Sequence, residues 1–180
     1  MSAAPTTYVS AANTTVLLSL LEQAIDGVGN TFSAGVNNSN DSLQSYSNGT
    51  GNAQLRRIHE ERVTLTPASG TYDLDLTTIL DPFGVVCNTS KIKFIYIKNR
   101  AAATGGQLLV GAAVSNPWIA LFANSGAPTT VKETIDAGGE FFRSSPNTGF
   151  TVSAGSKTLR FTHNGGSSTS IVFDVVIGLI

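Results

Sequence analysis

The clearest order in this chain is a period of two. In Lys91 to Arg100, KIKFIYIKNR, the residues Ile92, Phe94 and Tyr96 alternate with Lys93, Ile95 and Ile97. Alternation in β-branched and aromatic residues marks a strand. Its middle is apolar on both faces, which places it inside a packed double layer. Weaker copies of the pattern surround it. Val63 and Leu65 alternate with Arg62 and Thr64, and Tyr72, Leu74 and Leu76 alternate with Asp73 and Asp75. The turn through Pro67, Ser69 and Gly70 between these two runs predicts a hairpin. Short strands are also predicted over 107–111, 118–122, 130–135, 140–143, 150–152 and 158–163, and Asn164-Gly165-Gly166 carries a hairpin signal. The final run, Thr169 to Ile180, is almost wholly apolar from Val175, so it belongs in a sheet or an interface. About eight short strands at close spacing predict an all-β fold, a jelly-roll-like antiparallel β-sandwich.

The first 54 residues read differently. Met1 to Ala12 is an extended tail, and Ser33 to Asn52 is rich in Asn, Ser and Gly. Between them, Leu17, Leu21, Ala24 and Val28 recur at helical spacing, with Asn13 as a cap and Gly27 and Gly29 as a stop. A short helix over 13–26 is therefore the favoured expectation. A strand through Thr14 to Leu20 is the competing one. The predicted organisation is an N-terminal arm, 1–54, and a β-sandwich body, 55–180.

Charge sharpens that division. The net charge is −1, and only 13% of residues are charged. The arm carries Glu22, Asp26 and Asp41 and no Lys or Arg, so all eleven basic residues lie in the body. A chain this weakly charged lacks the basic field a general nucleic-acid binder requires. No apolar run approaches the ~20 residues of a membrane span, and MSAAPTTYVS lacks the pattern of a signal peptide. The single cysteine, Cys87, rules out an intrachain disulfide and reads as a small buried hydrophobe.

Sequence motifs for chemistry are sparse. No GxSxG, HExxH, Walker loop or strand–helix GxGxxG occurs. His59 and His163 have no second His or Cys at metal spacing, and the expectation is no catalytic site, no metal and no cofactor. Asp73 and Asp75 read as solvated strand carboxylates. The one charge-dense run is RRIHEER, Arg56 to Arg62. It is read as a solvated face with local ion pairs or as an electrostatic docking strip, with His59 on the surface. The candidate interface residues are Val16, Leu17 and Leu21 in the arm, Arg56, Arg57, His59 and Arg62 in the strip, and Trp118, the sole tryptophan. For Trp118 a packing role competes with that of a contact anchor or sugar platform.

Several segments of the body resemble a group of small virion structural proteins of tailed bacteriophages. They are YDLDLTTILDPFG, KIKFIYIKN, GGQLLVG followed by NPW, AGGEFF, NTGFTVSAGSKTLRFTHNGG and IVFDVVIG, within Thr71 to Gly178, and NGTGNAQ ahead of the body. The resemblance implies a non-enzymatic head decoration (cement) protein made in the host cytoplasm and carried on the capsid surface of the virion. Its implied partners are the major capsid protein and copies of itself, as a dimer or trimer, with no nucleic acid and no membrane. The alternative it leaves open is a tail, neck or fibre component that contacts a receptor or glycan.

Overall fold

The computed structural model describes residues 6–9, 17–23, 32–37, 45–67, 70–102, 106–122, 131–164 and 169–180. Five strands precede or open the body: β1 (Thr6–Val9), β2 (Leu17–Gln23), β3 (Phe32–Asn37), β4 (Ser45–Asn48) and β5 (Gln54–Leu55). They form one sheet in the order β1-β2-β3-β4-β5, antiparallel except for the β4–β5 pair. The helix expected over 13–26 is thus corrected across its centre. Leu17–Gln23 is extended because its backbone is taken up on both sides, by β1 and by β3. Val16 lies outside the described residues.

Nine strands follow: β6 (Arg57–Leu65), β7 (Thr71–Asp75), β8 (Lys91–Asn99), β9 (Gln107–Ala112), β10 (Lys132–Ile135), β11 (Glu140–Ser144), β12 (Phe150–Thr151), β13 (Thr158–Asn164) and β14 (Ile171–Leu179). One sheet runs β11-β8-β14-β6, with β12 extending β11 along the same side of β8, and the other runs β10-β9-β13-β7. The pairing is nested. First pairs with last (β6 with β14), then β7 with β13, β8 with β11 and β12, and β9 with β10. An antiparallel ribbon folded over on itself in this way is a jelly roll, so the predicted fold class holds.

Two predicted hairpins do not exist as such. β6 and β7 lie in different sheets, and so do β13 and β14. Each of these four strands pairs with one distant in sequence, β6 with β14 and β7 with β13. Trp118–Phe122 is likewise turn rather than strand.

The core lies between the two sheets. Ile171, Phe173, Val175, Ile177 and Leu179 of β14 point into it, facing Leu159 and Phe161 of β13 and Leu108 and Val110 of β9. Phe161 and Phe173 stack across the layers at 4.6 Å between ring centroids. β8 departs from simple alternation. Opposite β14, Gly178 pairs with Phe94 but Leu179 pairs with Ile92, so Lys93 is the extra residue of a bulge. The bulge puts Ile92 on the same inner face as Ile95 and Ile97 and sends Phe94 outward. Lys93, a charged residue within an apolar strand, is only 1% exposed. Its ammonium donates to the carbonyls of Pro146 at 3.0 Å and Asn147 at 2.8 Å, and desolvation followed by the charge of Lys91 lowers its pKa.

A second, smaller cluster covers the outer face of the β8–β14 sheet. Tyr46 and Leu55 pack there against Ile58, Phe94 and Val176. Gly178 makes room for it, since a Cβ at that position would meet the Phe94 ring at 2.3 Å.

The two ends of the sandwich differ. At one end lie the last residues of β6, β8, β10 and β13 and the first of β7, β9, β11 and β14; at the other lie the connection 76–90, the described residues 113–122 and the turns of 145–157. The chain also enters the body at this second end. There Arg56 N–H donates to the Leu179 carbonyl at 2.8 Å, and Ala53 N–H to that of Pro146 at 2.9 Å.

Candidate interaction surface

The long-loop end is organised by Asp81. Its carboxylate is buried and accepts the backbone N–H of Phe83 at 3.0 Å and of Val85 at 2.8 Å, and it pairs with the Arg57 guanidinium. A short aspartate that caps the amides two and four residues on, followed by proline, fixes a tight turn locally. Gly84 completes it at φ 77°, a left-handed conformation that favours glycine. Leu80 and Val86 close the base of the loop as an antiparallel bridge. The result is a braced projection whose tip is apolar. Phe83 is 65% exposed, and Leu80, Val85 and Val86 are exposed beside it. Val114, in the neighbouring long connection, is 77% exposed. Among the described residues these five are all the exposed large hydrophobic side chains, and all lie at this one end. Clustering of that kind marks an interaction surface more than scattered exposure does.

The sequence-predicted interface residues separate into three groups. Leu17 and Leu21 lie in β2, opposite Asn37 and Ser33 of β3. Arg56 and Arg57 stand at the long-loop end, Arg56 exposed and lining a small cleft with Val86, Asn88 and Ile180. Arg62 is exposed further along β6 and is tied to Asp174 through Nε at 2.6 Å. Burial pushes the Asp174 carboxyl up, but Arg62 and Arg100 together outweigh it and hold it below the usual carboxylate range.

His59 is a correction, and Trp118 takes the packing role of its two readings. His59 is buried, not on the surface: its Nδ1 bonds the Leu80 carbonyl at 2.7 Å, and its Nε2 lies 3.6 Å from Glu61. It supports the root of the apolar loop because the β6 edge turns that side chain under the chain leaving β7. Trp118 is 0% exposed, and its indole N–H donates to the Thr151 carbonyl at 2.8 Å. It packs edge-on to Phe150 and joins the sandwich core, so it presents no platform at the surface.

The body's carboxylates are largely engaged. Asp73 receives Arg160 through two bonds of 2.6 Å, and Asp75 receives Lys157 at 2.6 Å as well as Thr77. Tyr72 donates to Glu61 at 2.8 Å. Glu61, Tyr72, Asp73 and Asp75 line the cleft between β6 and β7, about 330 Å³ in volume, and are already engaged there. Among the described residues no group of three His, Cys, Asp or Glu side chains is placed to hold a metal ion. Cys87 is buried beneath the loop, and burial, then the Asp81 charge, pushes its thiol up to about 11.

Leu80, Val85, Val86 and Val114 were not legible as surface residues. Their sequence context is apolar and strand-like, and only the Asp-Pro pair at 81–82 signals a turn that would lift them out.

No family model matches the chain, and no curated protein matches it. Among solved structures, a chain of the capsid asymmetric unit of cyanophage Pam1 is similar over 81% of this chain and 98% of its own length, at 15% identity and a TM-score of 0.39.

Proposed function

We propose that this chain is a non-enzymatic virion structural protein of a tailed bacteriophage, a decoration (cement) protein that binds and stabilises the head lattice and associates with copies of itself. The observation that carries the reading is the resemblance over Thr71 to Gly178. Its segments coincide with strands β7, β8, β9, β11, β13 and β14 of a jelly roll, a fold used by viral capsid domains and lectins among others. The apolar long-loop end supports a binding role. Contacts with a lattice bury apolar surface at about 25 cal/mol per Å² and gain from repetition over many copies. The test is localisation by electron cryomicroscopy of purified virions, with and without added protein. Density for the sandwich on the outer head surface is expected; density confined to tail or neck would overturn the head assignment.

A tail or fibre component that binds glycan is the second reading, favoured by the exposed Phe83. Saturable binding of host-surface glycan by the isolated protein, abolished by Phe83→Ser, would select it.

A further inference from the structure

We propose that the long-loop end of the sandwich receives the N-terminal arm of a second copy of this chain, in a reciprocal exchange. The inference rests on the self-association in the reading above and names its surface. The end is apolar at its tip, with Phe83 and Val114 the most exposed of its five large hydrophobic side chains. It is also cationic. Arg56, Arg57, Lys91 and Lys157 stand there against Asp75 and Asp81. Arg57 pairs with Asp81 and Lys157 with Asp75, so Arg56 and Lys91 have no ion-pair partner among the described residues.

The complementary surface is in the same sequence. Residues 1–54 carry Glu22, Asp26 and Asp41 with no basic residue, and they include the leucine-rich LLSLLEQ segment. The acidic charge of the arm and the leucines of LLSLLEQ complement the basic charge and apolar tip of that end. Position supplies the geometric argument. The arm leaves the body at the end it would occupy in a neighbour, since Ala53 and Arg56 are hydrogen-bonded to Pro146 and Leu179 there. A donor segment and its acceptor surface side by side allow a two-fold axis to satisfy both copies at once, with no open valence.

The experiment uses full-length protein with a benzophenone amino acid at position 83, prepared as an equal mixture of unlabelled and nitrogen-15-labelled chains. Irradiation should give mixed-label products that join position 83 to peptides within residues 1–44. In parallel, sedimentation velocity on F83S/V85S should show a dissociation constant raised about tenfold or more, with circular dichroism and melting temperature unchanged because both side chains are exposed. Arg56→Glu should weaken association in the same direction, and less so at high salt. Cross-links confined to single-label chains, or landing outside the arm, overturn the proposal. So does a dissociation constant that F83S/V85S leaves at the wild-type value, while self-association itself would stand. A chain that stays monomeric at all concentrations defeats both readings.

Discussion

Single side chains define the exposed surface by being held beneath it. Asp81 is the clearest case, with one buried carboxylate serving two amides and a guanidinium. Asp81→Ala should cost about 1–3 kcal/mol in urea denaturation, because three donors lose a shared acceptor. Amide exchange at Phe83 and Val85 should quicken with it; unchanged exchange there would show that the loop is held by other means. Asp174 works through pH instead. Its folded pKa is depressed, so its contribution is present above the ordinary carboxylate value near 4 and is lost as pH falls through the folded value. The stability gap between wild type and Asp174→Asn should be constant from about pH 7 to 5 and narrow at lower pH. A gap that persists to about pH 2 would mean that Arg62 and Arg100 do not act on this carboxylate. Asn99, fully buried, is a third such residue. It donates to the Gly106 and Ile135 carbonyls and accepts from Ala101, fixing the end opposite that surface.

Elements show what sequence patterning could convey and where it stopped. Strand positions are legible where a half-buried strand alternates, as in β7 and β13, and in the apolar runs of β8 and β14, whereas β6 begins at Arg57 inside a charged run that does not announce a strand. Partners were not legible, because alternation is local and pairing here joins β6 to a strand more than a hundred residues on. Proximity in sequence favoured hairpins that the nested topology replaces with distant pairings. The burial of Lys93 and Trp118 is hidden from patterning for a related reason. A bulge and a loop bury them, and neither leaves a periodic trace. The same limit applies to β4 and β5, whose polar sequence conceals Tyr46 and Leu55 in the outer cluster. Burial there pushes the Tyr46 hydroxyl up to about 12. Leu55→Ala should destabilise the body by about 2–5 kcal/mol, as for other buried leucines. Deleting residues 1–44, which spares that cluster, should leave the melting temperature within a few degrees. If both changes prove equally damaging, the body extends further into the arm than the packing of Tyr46 and Leu55 indicates.

The whole molecule is a two-ended body. One end holds the last residues of β6, β8, β10 and β13, and the other combines long connections, apolar side chains, the cationic residues and the point where the arm enters. The middle is committed to packing, and Glu61, Asp73 and Asp75 in the cleft between β6 and β7 are already engaged. Function read from the core would have found only a rigid sandwich. The asymmetry of the ends places the variable surface on the exposed side chains Leu80, Phe83, Val85, Val86 and Val114, while Leu76, Ile79, Trp118 and Leu121 of the same connections belong to the core.

The nested pairing also sets an order of events during synthesis. β6 is the first strand of the sandwich to leave the ribosome, yet its only ladder within the sheets is with β14. Until Ile171 to Phe173 have been made, Val63 and Leu65 lack their partner residues, and the ladder is complete only with Leu179 opposite Arg57. Folding of the sandwich is therefore expected to wait for β14, and to be slow for its size, as non-local β topologies are. Refolding from urea should take milliseconds to seconds or longer, and ribosome-held chains ending before residue 171 should stay sensitive to protease. Protection of such truncated chains would show that a smaller unit folds first.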